Sequence, residues 1–383
     1  MKIVFLGFAS SYTPGMTYQD NYLCNQVLAD GHEVTYLANT EEFINGKIEE
    51  VGEEDVFFPN GLHLIRLRNV FILSKVVTKK LRLYKGVYSI LEKEKPDVIF
   101  CHNTQYGPIR DVAKYKKKHP NVKFYADTHT ASYNSATNWL SLHILHRVYY
   151  KWLLQSAMPQ LDKYYYIGES ERSFAIKNYG VPESLMEFFP LGGLVLSDEE
   201  YQKNRQEIRN ELVISDDMRL YGHAGKLTSL KKTEDLLLAF SSVPDKNARL
   251  IIMGSIPDDR KDVLLPMIQA DSRVNYLGWI SGDSLQRYLC ACDLYCQPYD
   301  NSAIFQNAIC CRCAIMTYPH SYYTKQYDNG NIIWEKGVED MRRVFEQIVD
   351  GRINLKELQI ASKQFAEQYL DYRKLAAKLY EKN

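Results

Sequence analysis

GHAGKLTSLKKTEDLLLAF, residues 222–240, contains the end of an apolar strand, a short loop and the start of an apolar-periodic helix. Lys226 and Lys231 lie in the loop, and the helix is predicted to begin near Thr233. In an open α/β sheet, ligands bind beyond the carboxyl ends of the strands, so both lysines are predicted to face a ligand crevice. A lysine ammonium is a compact charge that suits phosphate oxygens. A solvated surface loop is the alternative interpretation.

The same alternation of apolar strands and helices continues on both sides of this loop. Lys2–Phe8 is the first predicted strand, and PDVIFCHN and VKFYADTHTA contain two more before the loop. The pattern predicts parallel, doubly wound sheets. A chain of 383 residues exceeds one ordinary core, and the proline and paired glycines of FPLGG, residues 189–193, break regular structure. We therefore expect a first domain over residues 1–190 and a second that begins at residue 191.

Composition narrows the class of protein. The formal net charge is zero, which gives no sign of a nucleic-acid partner. No uncharged apolar run is long enough to span a bilayer and no basic leader is present, so we expect a cytoplasmic protein. The loop after the first strand, ASSYTPGMTYQ, lacks the G-x-G-x-x-G spacing and disfavours an NAD-dependent dehydrogenase.

Six of the eight cysteines lie between Cys290 and Cys313. Only Cys310 and Cys313 have the C-x-x-C spacing, no second such pair occurs, and the six fall on predicted helices and a strand rather than on loops, which disfavours a zinc or iron–sulfur site. Reduced cysteine packs as a small apolar residue. We predict that these thiols lie in the core and that the chain holds no metal there.

Arg66–Lys85, RLRNVFILSKVVTKKLRLYK, is basic and contains no acidic residue. Such a segment can bind an anionic membrane surface, since each cation near the surface contributes about 1 kcal/mol. An ordinary surface helix is the alternative.

The segment from Gly225 to Phe240 resembles the G-R-L, three residues, K-G and L-L-A-F motif of retaining family-4 glycosyltransferases. Lys226 stands at the arginine position and Lys231 at the lysine position of that motif, while Lys232 replaces a glycine. Residues 274–299, VNYLGWISGDSLQRYLCACDLYCQPY, also resemble the V-x-F-L-G, helix, A-D segment of the family. The resemblance covers most of the chain and is strongest over residues 220–318.

This resemblance implies the GT-B fold, with two doubly wound Rossmann-like domains that face a central cleft. The first domain would be the acceptor side, residues 1–190, and the second the nucleotide-sugar donor domain, residues 191–365. A C-terminal helix, residues 366–383, would cross back to the first domain. The donor would be a UDP- or GDP-sugar and the acceptor a saccharide or a lipid-linked saccharide.

The resemblance also implies roles for particular residues. Lys226 and Lys231 would bind the donor diphosphate with Gly225, and Gly15 would occupy the family's glycine-bearing loop after the first strand. His129 resembles the histidine that the family places beside the reacting sugar. His129 and Asp127 follow a predicted parallel strand and are the catalytic candidates of the first domain.

The family's two glutamates, seven residues apart, have no direct equivalent here. Asn307 aligns with the second, where its amide oxygen is a weaker acceptor for ribose hydroxyls than a carboxylate. Asp300 is the nearest carboxylate to the first. Ser302 could cap the following helix, whose first amides would favour the donor phosphate.

The expected activity is retaining sugar transfer without a cofactor and without an obligatory metal ion, because no D-x-D motif occurs and the lysines supply the positive charge that the leaving diphosphate needs. Cell-surface polysaccharide synthesis (capsule or lipopolysaccharide) at the inner membrane face is the expected setting. A catalytically degenerate donor-binding subunit and a GT-B epimerase or phosphorylase are the alternatives.

Overall fold

The computed structural model describes residues 1–16, 18–44, 47–299, 302, 304–319 and 325–381. These residues form two compact units. The first contains Met1–Pro190 and Tyr372–Asn383, and the second contains Leu191–Asp371. Each unit has its own sheet and its own apolar core.

The first unit is built on an eight-stranded sheet in the order β10-β9-β8-β7-β1-β2-β6-β5. The strands from β10 to β6 pair in parallel, and β5 adds to the edge in the antiparallel direction, while β3 and β4 form a separate hairpin. Their bounds are β1 (Lys2–Gly7), β2 (Glu33–Ala38), β3 (Glu41–Ile44), β4 (Lys47–Glu50), β5 (Glu54–Phe57), β6 (His63–Arg66), β7 (Val98–Cys101), β8 (Lys123–Thr128), β9 (Lys163–Tyr166) and β10 (Met186–Phe188).

Helices cover both faces of this sheet, which is why central strands such as β7, Val-Ile-Phe-Cys, are apolar at every position. The helices are α1 (Gln19–Ala29), α2 (Lys75–Leu81), α3 (Val87–Glu94), α4 (Ile109–Lys118), a π-helical segment (Ser141–Tyr150) that continues into α5 (Lys151–Ala157), and α6 (Glu169–Phe174), which continues into π-helical Ala175–Tyr179.

The second unit has a six-stranded parallel sheet in the order β13-β12-β11-β14-β15-β16. Its strands are β11 (Arg219–Ala224), β12 (Ala248–Met253), β13 (Val274–Gly278), β14 (Leu294–Gln297), β15 (Ala314–Thr317) and β16 (Ile332–Trp334). Its helices are α7 (Asp198–Glu211), α8 (Thr233–Ser241), α9 (Asp258–Ala270), α10 (Gly282–Ala291), α11 (Ile304–Cys310), α12 (Val338–Val349) and α13 (Leu355–Phe365), which continues into π-helical Ala366–Leu370.

All eight cysteines are buried with free thiols, and the cluster between Cys290 and Cys313 packs in the core of the second unit. Burial raises the pKa of Cys313 well above its usual value, as expected for a thiol that packs as an apolar group. The prediction that these cysteines are core residues is confirmed.

The last helix, α14 (Tyr372–Tyr380), packs on α1 in the first unit. Tyr22 stacks on Tyr372 with ring centroids 4.8 Å apart, and Lys378 Nζ donates to Glu187 Oε1 at 2.9 Å. The residues before it, 366–371, belong with the second unit, because Ala366 and Leu370 are fully buried in its core.

The basic segment Arg66–Lys85 is not one continuous helix. Arg66 ends β6 and is 1% exposed, where its guanidinium pairs with Glu42 and Glu54. It therefore contributes no charge to the surface, contrary to the expectation from sequence. Helix α2 contains three exposed cations of the segment, of which Lys79 pairs with Glu41, and Arg68 and Lys85 are exposed on either side of the helix. Nowhere in the described part of the chain is a helix both long and apolar enough to cross a membrane.

Candidate functional site

Lys231 lies against the backbone at the carboxyl end of β11. Its side chain is 4% exposed in the second unit, and a Cβ built on Gly225 would lie 2.8 Å from Lys231 Cε and 3.1 Å from its Nζ. Gly225 also has φ +129°, a conformation that is essentially restricted to glycine. The glycine predicted here is therefore required both by its own backbone and by the close approach of the lysine.

Two further glycines extend this edge along the neighbouring strands. Gly254 follows β12 and Gly278 ends β13, and the Gly254 amide donates to Gly278 O at 2.6 Å. A Cβ on Gly254 would lie 1.8 Å from Gly225 O, so these two backbones are in direct contact. Side-chain-free backbone at three adjacent strand ends lets an anion approach the peptide groups closely. Sequence reasoning missed Gly254 and Gly278, although the first directly follows a predicted strand and the second ends one.

Lys226 is exposed in the same loop, and its carbonyl accepts a hydrogen bond from the Thr228 amide at 2.8 Å. The structure thus places both predicted lysines just beyond the end of β11, one exposed and one buried. An exposed ammonium can move toward a ligand, whereas the buried one is already held in place by packing.

His223 is a support for this edge that the sequence analysis did not identify. It is fully buried, with Nδ1 2.8 Å from Cys296 O and Nε2 2.9 Å from Thr233 Oγ1. Burial, with a further contribution from the charge of Lys231, lowers the pKa of His223 to about 4. The neutral ring therefore donates from Nδ1 to the carbonyl and accepts from the threonine that begins α8.

Helix α11 begins beside Gly225, since Ile304 Cδ1 would lie 3.7 Å from a Cβ built there. Ser302 Oγ accepts from the Ile304 amide at 3.4 Å, the capping contact that its position predicted. Asn307 lies further along this helix, where its Oδ1 would be 3.1 Å from a Cβ on Gly193. Asp300, the remaining predicted donor residue, lies outside the described residues.

Polar side chains also end the other strands of this sheet. Gln297 ends β14, Thr317 ends β15 and Glu335 follows β16, and Gln297 and Glu335 are each 1% exposed. Among the described residues, the side-chain amide of Gln297 has no hydrogen-bond partner. A buried polar group without a partner is costly and rare, and the carboxyl end of a parallel sheet is where a ligand would satisfy it.

Glu335 is a buried acid whose pKa is raised. Burial, reinforced by Asp340 and Asp235, raises the pKa of Glu335 to about 7, although the Gly337 amide donates to its Oε2 at 2.6 Å. The carboxyl group therefore carries a proton for part of the time at neutral pH and can then donate a hydrogen bond.

In the first unit, His102, Asp127 and His129 meet at the adjacent carboxyl ends of β7 and β8. Asp127 is fully buried, and its Oδ2 lies 2.9 Å from His102 Nδ1 and 3.2 Å from His129 Nε2. Its Oδ1 accepts from the Asn103 amide at 2.6 Å. The two predicted residues thus lie together, and His102 is a partner to which the sequence analysis gave no role.

The carboxylate of Asp127 remains ionised in this cluster. Burial opposes its charge, but His102 and His129 outweigh burial and hold the pKa of Asp127 well below its usual value. Burial likewise opposes protonation of His102, but Asp127 raises the pKa of His102 to about 9. Because an ionised carboxylate only accepts, His129 Nε2 must carry the hydrogen of this contact, which leaves Nδ1 as the second nitrogen for a further hydrogen bond.

The same three residues are the group within the described chain that could hold a metal ion, since one ligand atom from each lies within 4.8 Å of the others. In the present geometry these atoms are hydrogen-bonded to one another.

Gly15 lies in the loop after β1 with φ +79°, and a Cβ built on it would meet no atom within 4 Å. Backbone conformation, not close approach, explains glycine there.

Part of the chain matches a known family. Residues 21–192 match the model of Glycosyltransferase Family 4. No curated protein is similar enough in sequence to be matched.

Solved structures match nearly the whole chain. A glycosyltransferase from Rickettsia africae is 12% identical with a TM-score of 0.65 and covers 98% of this chain and 96% of its own. Anabaena HepE in complex with UDP is 14% identical with a TM-score of 0.63, covering 99% and 98%. WaaG, a glycosyltransferase involved in lipopolysaccharide biosynthesis, is 14% identical with a TM-score of 0.61, covering 99% and 100%. The chain therefore has the GT-B fold, and the predicted fold class is confirmed.

Proposed function

We propose that this protein is a glycosyltransferase that moves a sugar from a nucleotide-diphosphate-sugar to a saccharide or lipid-linked acceptor with retention of configuration. The observation that carries the proposal is the packing of Lys231 against Gly225, at an edge formed by three glycine strand ends. The GT-B fold, the family match over residues 21–192 and the UDP bound in HepE support a nucleotide-sugar as the ligand of that edge.

Positive charge at the diphosphate is the main chemical contribution of the second unit in this proposal. As the bond to the sugar breaks, negative charge grows on the leaving diphosphate while the sugar becomes oxocarbenium-like. Lys231, already held by packing, and Lys226, free to approach, would stabilise that charge without an obligatory metal ion or cofactor. Gln297 and Asn307 would offer amide groups to donor hydroxyls.

His129 and Asp127 would act in the first unit. Asp127 orients the His129 ring through Nε2, so that Nδ1 can accept a hydrogen bond from a hydroxyl of the reacting sugar. Asp127 would thus be a positioning residue for His129. His102 keeps that carboxylate paired in a buried site.

The setting that we propose is cell-surface polysaccharide synthesis at the cytoplasmic face of a membrane. Phe71, Leu73 and Val76 are 68%, 88% and 71% exposed, and they accompany the cations of α2. A second exposed apolar stripe recurs every four residues at Leu140, Ile144, Val148 and Trp152. Exposed apolar side chains beside lysines are typical of a surface that binds anionic lipid.

The experiment that tests the function is UDP binding by calorimetry and hydrolysis of UDP-glucose and GDP-mannose, on the native chain, Lys231→Ala and His129→Ala. We expect Lys231→Ala to weaken binding of the nucleotide at least 10-fold, because it removes a charge from the diphosphate. We expect His129→Ala to keep nucleotide affinity and to lose most of the hydrolysis.

The other possible results would favour one of the alternative functions or exclude the donor site. Nucleotide binding without hydrolysis, even with a membrane-extract acceptor, would favour a catalytically degenerate donor-binding subunit. Conversion of a UDP-sugar to its epimer without an acceptor would favour an epimerase. If the native chain binds no nucleotide, the proposed donor site is wrong.

A further inference from the structure

A polar cavity of about 210 Å³ opens beside His129, entirely within the first unit. Its walls include Lys80 and Arg82 from the end of α2, Asn103 from the loop after β7, and His146 from the π-helical segment. Drug-sized ligands usually occupy sites of about 300–1,000 Å³. This cavity therefore suits a small group that is part of a larger ligand, placed next to the candidate catalytic histidine.

The cavity is positively charged. None of the thirteen lining residues is acidic, whereas Lys80 and Arg82 are both cationic. Over the described ranges, no carboxylate forms an ion pair with either of them, in contrast to neighbouring Lys79. Burial, and then the charges of Arg82 and Lys80, lower the pKa of His146 to about 4. His146 therefore stays neutral, and the cavity is left with two cations that pair with no carboxylate of the described residues.

The cations are held on a rigid frame. The Tyr150 hydroxyl donates to Lys80 O at 2.6 Å and the Tyr149 hydroxyl to Leu81 O at 2.7 Å, so the end of α2 is tied to the π-helical segment across the cavity. Arg82 Nη1 donates to Gln105 O at 3.3 Å, and this hydrogen bond holds the guanidinium against the loop that follows β7.

Two residues in these walls have a positive φ, as do five other non-glycine residues of the described chain. Arg82 has φ +48° and Asn103 has φ +63°, in the left-handed region that is unfavourable for arginine and is tolerated better by asparagine. Arg82 occupies the helix C-cap, where glycine would avoid that cost. Arginine therefore lowers stability at this position, and strain of this kind is often found at ligand sites.

We propose that this cavity binds a phosphate group of the acceptor, an inference that rests on the proposed glycosyltransferase function. A guanidinium and an ammonium without carboxylate partners among the described residues match the charge of a phosphate. The Asn134 side-chain amide donates one hydrogen to His129 O and keeps a second for the ligand. A phosphate anchored there would place the rest of the acceptor against His129.

Two sources can supply this chemistry. The phosphate can belong to a soluble phosphorylated saccharide or to the headgroup of a membrane lipid that bears the acceptor. The exposed apolar surface beside α2 is compatible with either source, so the experiment needs one arm for each.

The test measures binding of inorganic phosphate and of glucose 1-phosphate by calorimetry at constant ionic strength. Saturating UDP fills the donor site, so that neither probe binds at Lys226 and Lys231. Flotation with phosphatidylcholine vesicles, with and without phosphatidylglycerol, is the lipid arm. The variants are Arg82→Gln, Lys80→Gln and the charge-conserving Arg82→Lys. The matched control is Lys123→Gln, which removes an exposed charge at the start of β8. Lys123 lies at the amino end of its strand, whereas the cavity lies at the carboxyl ends of the strands.

We expect Arg82→Gln to weaken binding of a phosphate probe at least 10-fold, Lys80→Gln to weaken it several-fold, and Arg82→Lys and Lys123→Gln to retain most of it. Lys80→Gln keeps the test valid if Arg82→Gln does not fold, because Lys80 is exposed. Loss of vesicle binding in Arg82→Gln, with little response to either soluble probe, would identify a lipid headgroup as the source.

The proposal is overturned if neither phosphate nor vesicle binding depends on Arg82 or Lys80, or if Lys123→Gln has the same effect. UDP affinity and UDP-sugar hydrolysis, measured on the same preparations, separate this result from the proposed function. If they persist while phosphate binding is absent, only the phosphate site is wrong. If UDP does not bind at all, the donor assignment has failed, and a phosphate dependence on Arg82 would still establish the cavity as an anion site.

Discussion

Replacing Gly225 with alanine tests whether the backbone at the end of β11 positions Lys231 for a diphosphate. The new Cβ would lie 2.8 Å from Lys231 Cε and 3.1 Å from its Nζ, closer than such contacts normally allow. The lysine side chain, which is 4% exposed, must therefore leave its present position. Nucleotide affinity should fall even though the lysine itself is unchanged.

Two effects of different size follow from this geometry. A φ of +129° costs alanine about 1–3 kcal/mol, which should appear as a lower free energy of unfolding. A lost charge-assisted hydrogen bond to the diphosphate is worth about 1.5–3 kcal/mol, or about a 10- to 150-fold rise in the UDP dissociation constant. Gly351→Ala is the control, because Gly351 has φ +74° with no atom within 4 Å of a built Cβ, so it should lose stability alone.

The assay is UDP calorimetry together with urea unfolding on the native chain, Gly225→Ala, Gly351→Ala and Lys231→Ala. The UDP affinity of Gly225→Ala should approach that of Lys231→Ala, and the affinity of Gly351→Ala should approach that of the native chain. Native UDP affinity in folded Gly225→Ala would refute the role of this glycine. Equal losses of affinity in both glycine variants would show that general destabilisation, not displacement of the lysine, is the cause.

Two further predictions concern stability and membrane binding. Glu335 has a pKa of about 7 in the folded chain, against 4.5 for an ordinary glutamate. Between these two pH values the folded chain keeps a proton that the unfolded chain has lost. The free energy of unfolding should therefore fall by about 3 kcal/mol as the pH rises from 4.5 to 7. Glu335→Gln should remove that part of the pH dependence in urea unfolding, while the exposed control Glu199→Gln should leave it, and an unchanged profile for Glu335→Gln would contradict the shifted pKa. Leu73→Ser with Val76→Ser should reduce flotation with phosphatidylglycerol vesicles several-fold while UDP affinity stays native, and undiminished flotation would exclude this surface.

The features that could be predicted from sequence are those that local pattern determines. Strand–loop–helix alternation predicted both parallel sheets, and the position of Lys226 and Lys231 after an apolar strand predicted where they lie. The roles of Gly254 and His223 could not be predicted, because each depends on a contact with a distant residue, Gly225 and Cys296 respectively. A pattern within one segment carries no information about which backbone it will meet.

In the basic segment Arg66–Lys85, the cationic side chains could be identified from the sequence, but the carboxylates that pair with some of them could not. Arg66 reads as one more cation in RLRNVFILSKVVTKK, yet it is buried between Glu42 and Glu54, which the hairpin and β5 bring from earlier in the chain. Lys80 and Arg82, from the same basic segment Arg66–Lys85, have no carboxylate partner in the described structure. The sequence gives the number of cations, but only the fold separates those already neutralised from those available to a ligand.

Asp127 and Glu335 are both buried carboxyl groups at strand ends, but their surroundings give them opposite pKa shifts. Both are at most 1% exposed and both accept a backbone amide hydrogen bond at 2.6 Å. Asp127 also has two imidazole partners and stays ionised, whereas burial, reinforced by the charges of Asp340 and Asp235, raises the pKa of Glu335 to about 7. Asp127 is therefore a permanent acceptor that orients His129, and Glu335 is a group that can change protonation when a ligand's charge arrives. An anionic diphosphate at the end of this sheet would favour the protonated form of Glu335, so donor binding in that unit should be accompanied by proton uptake.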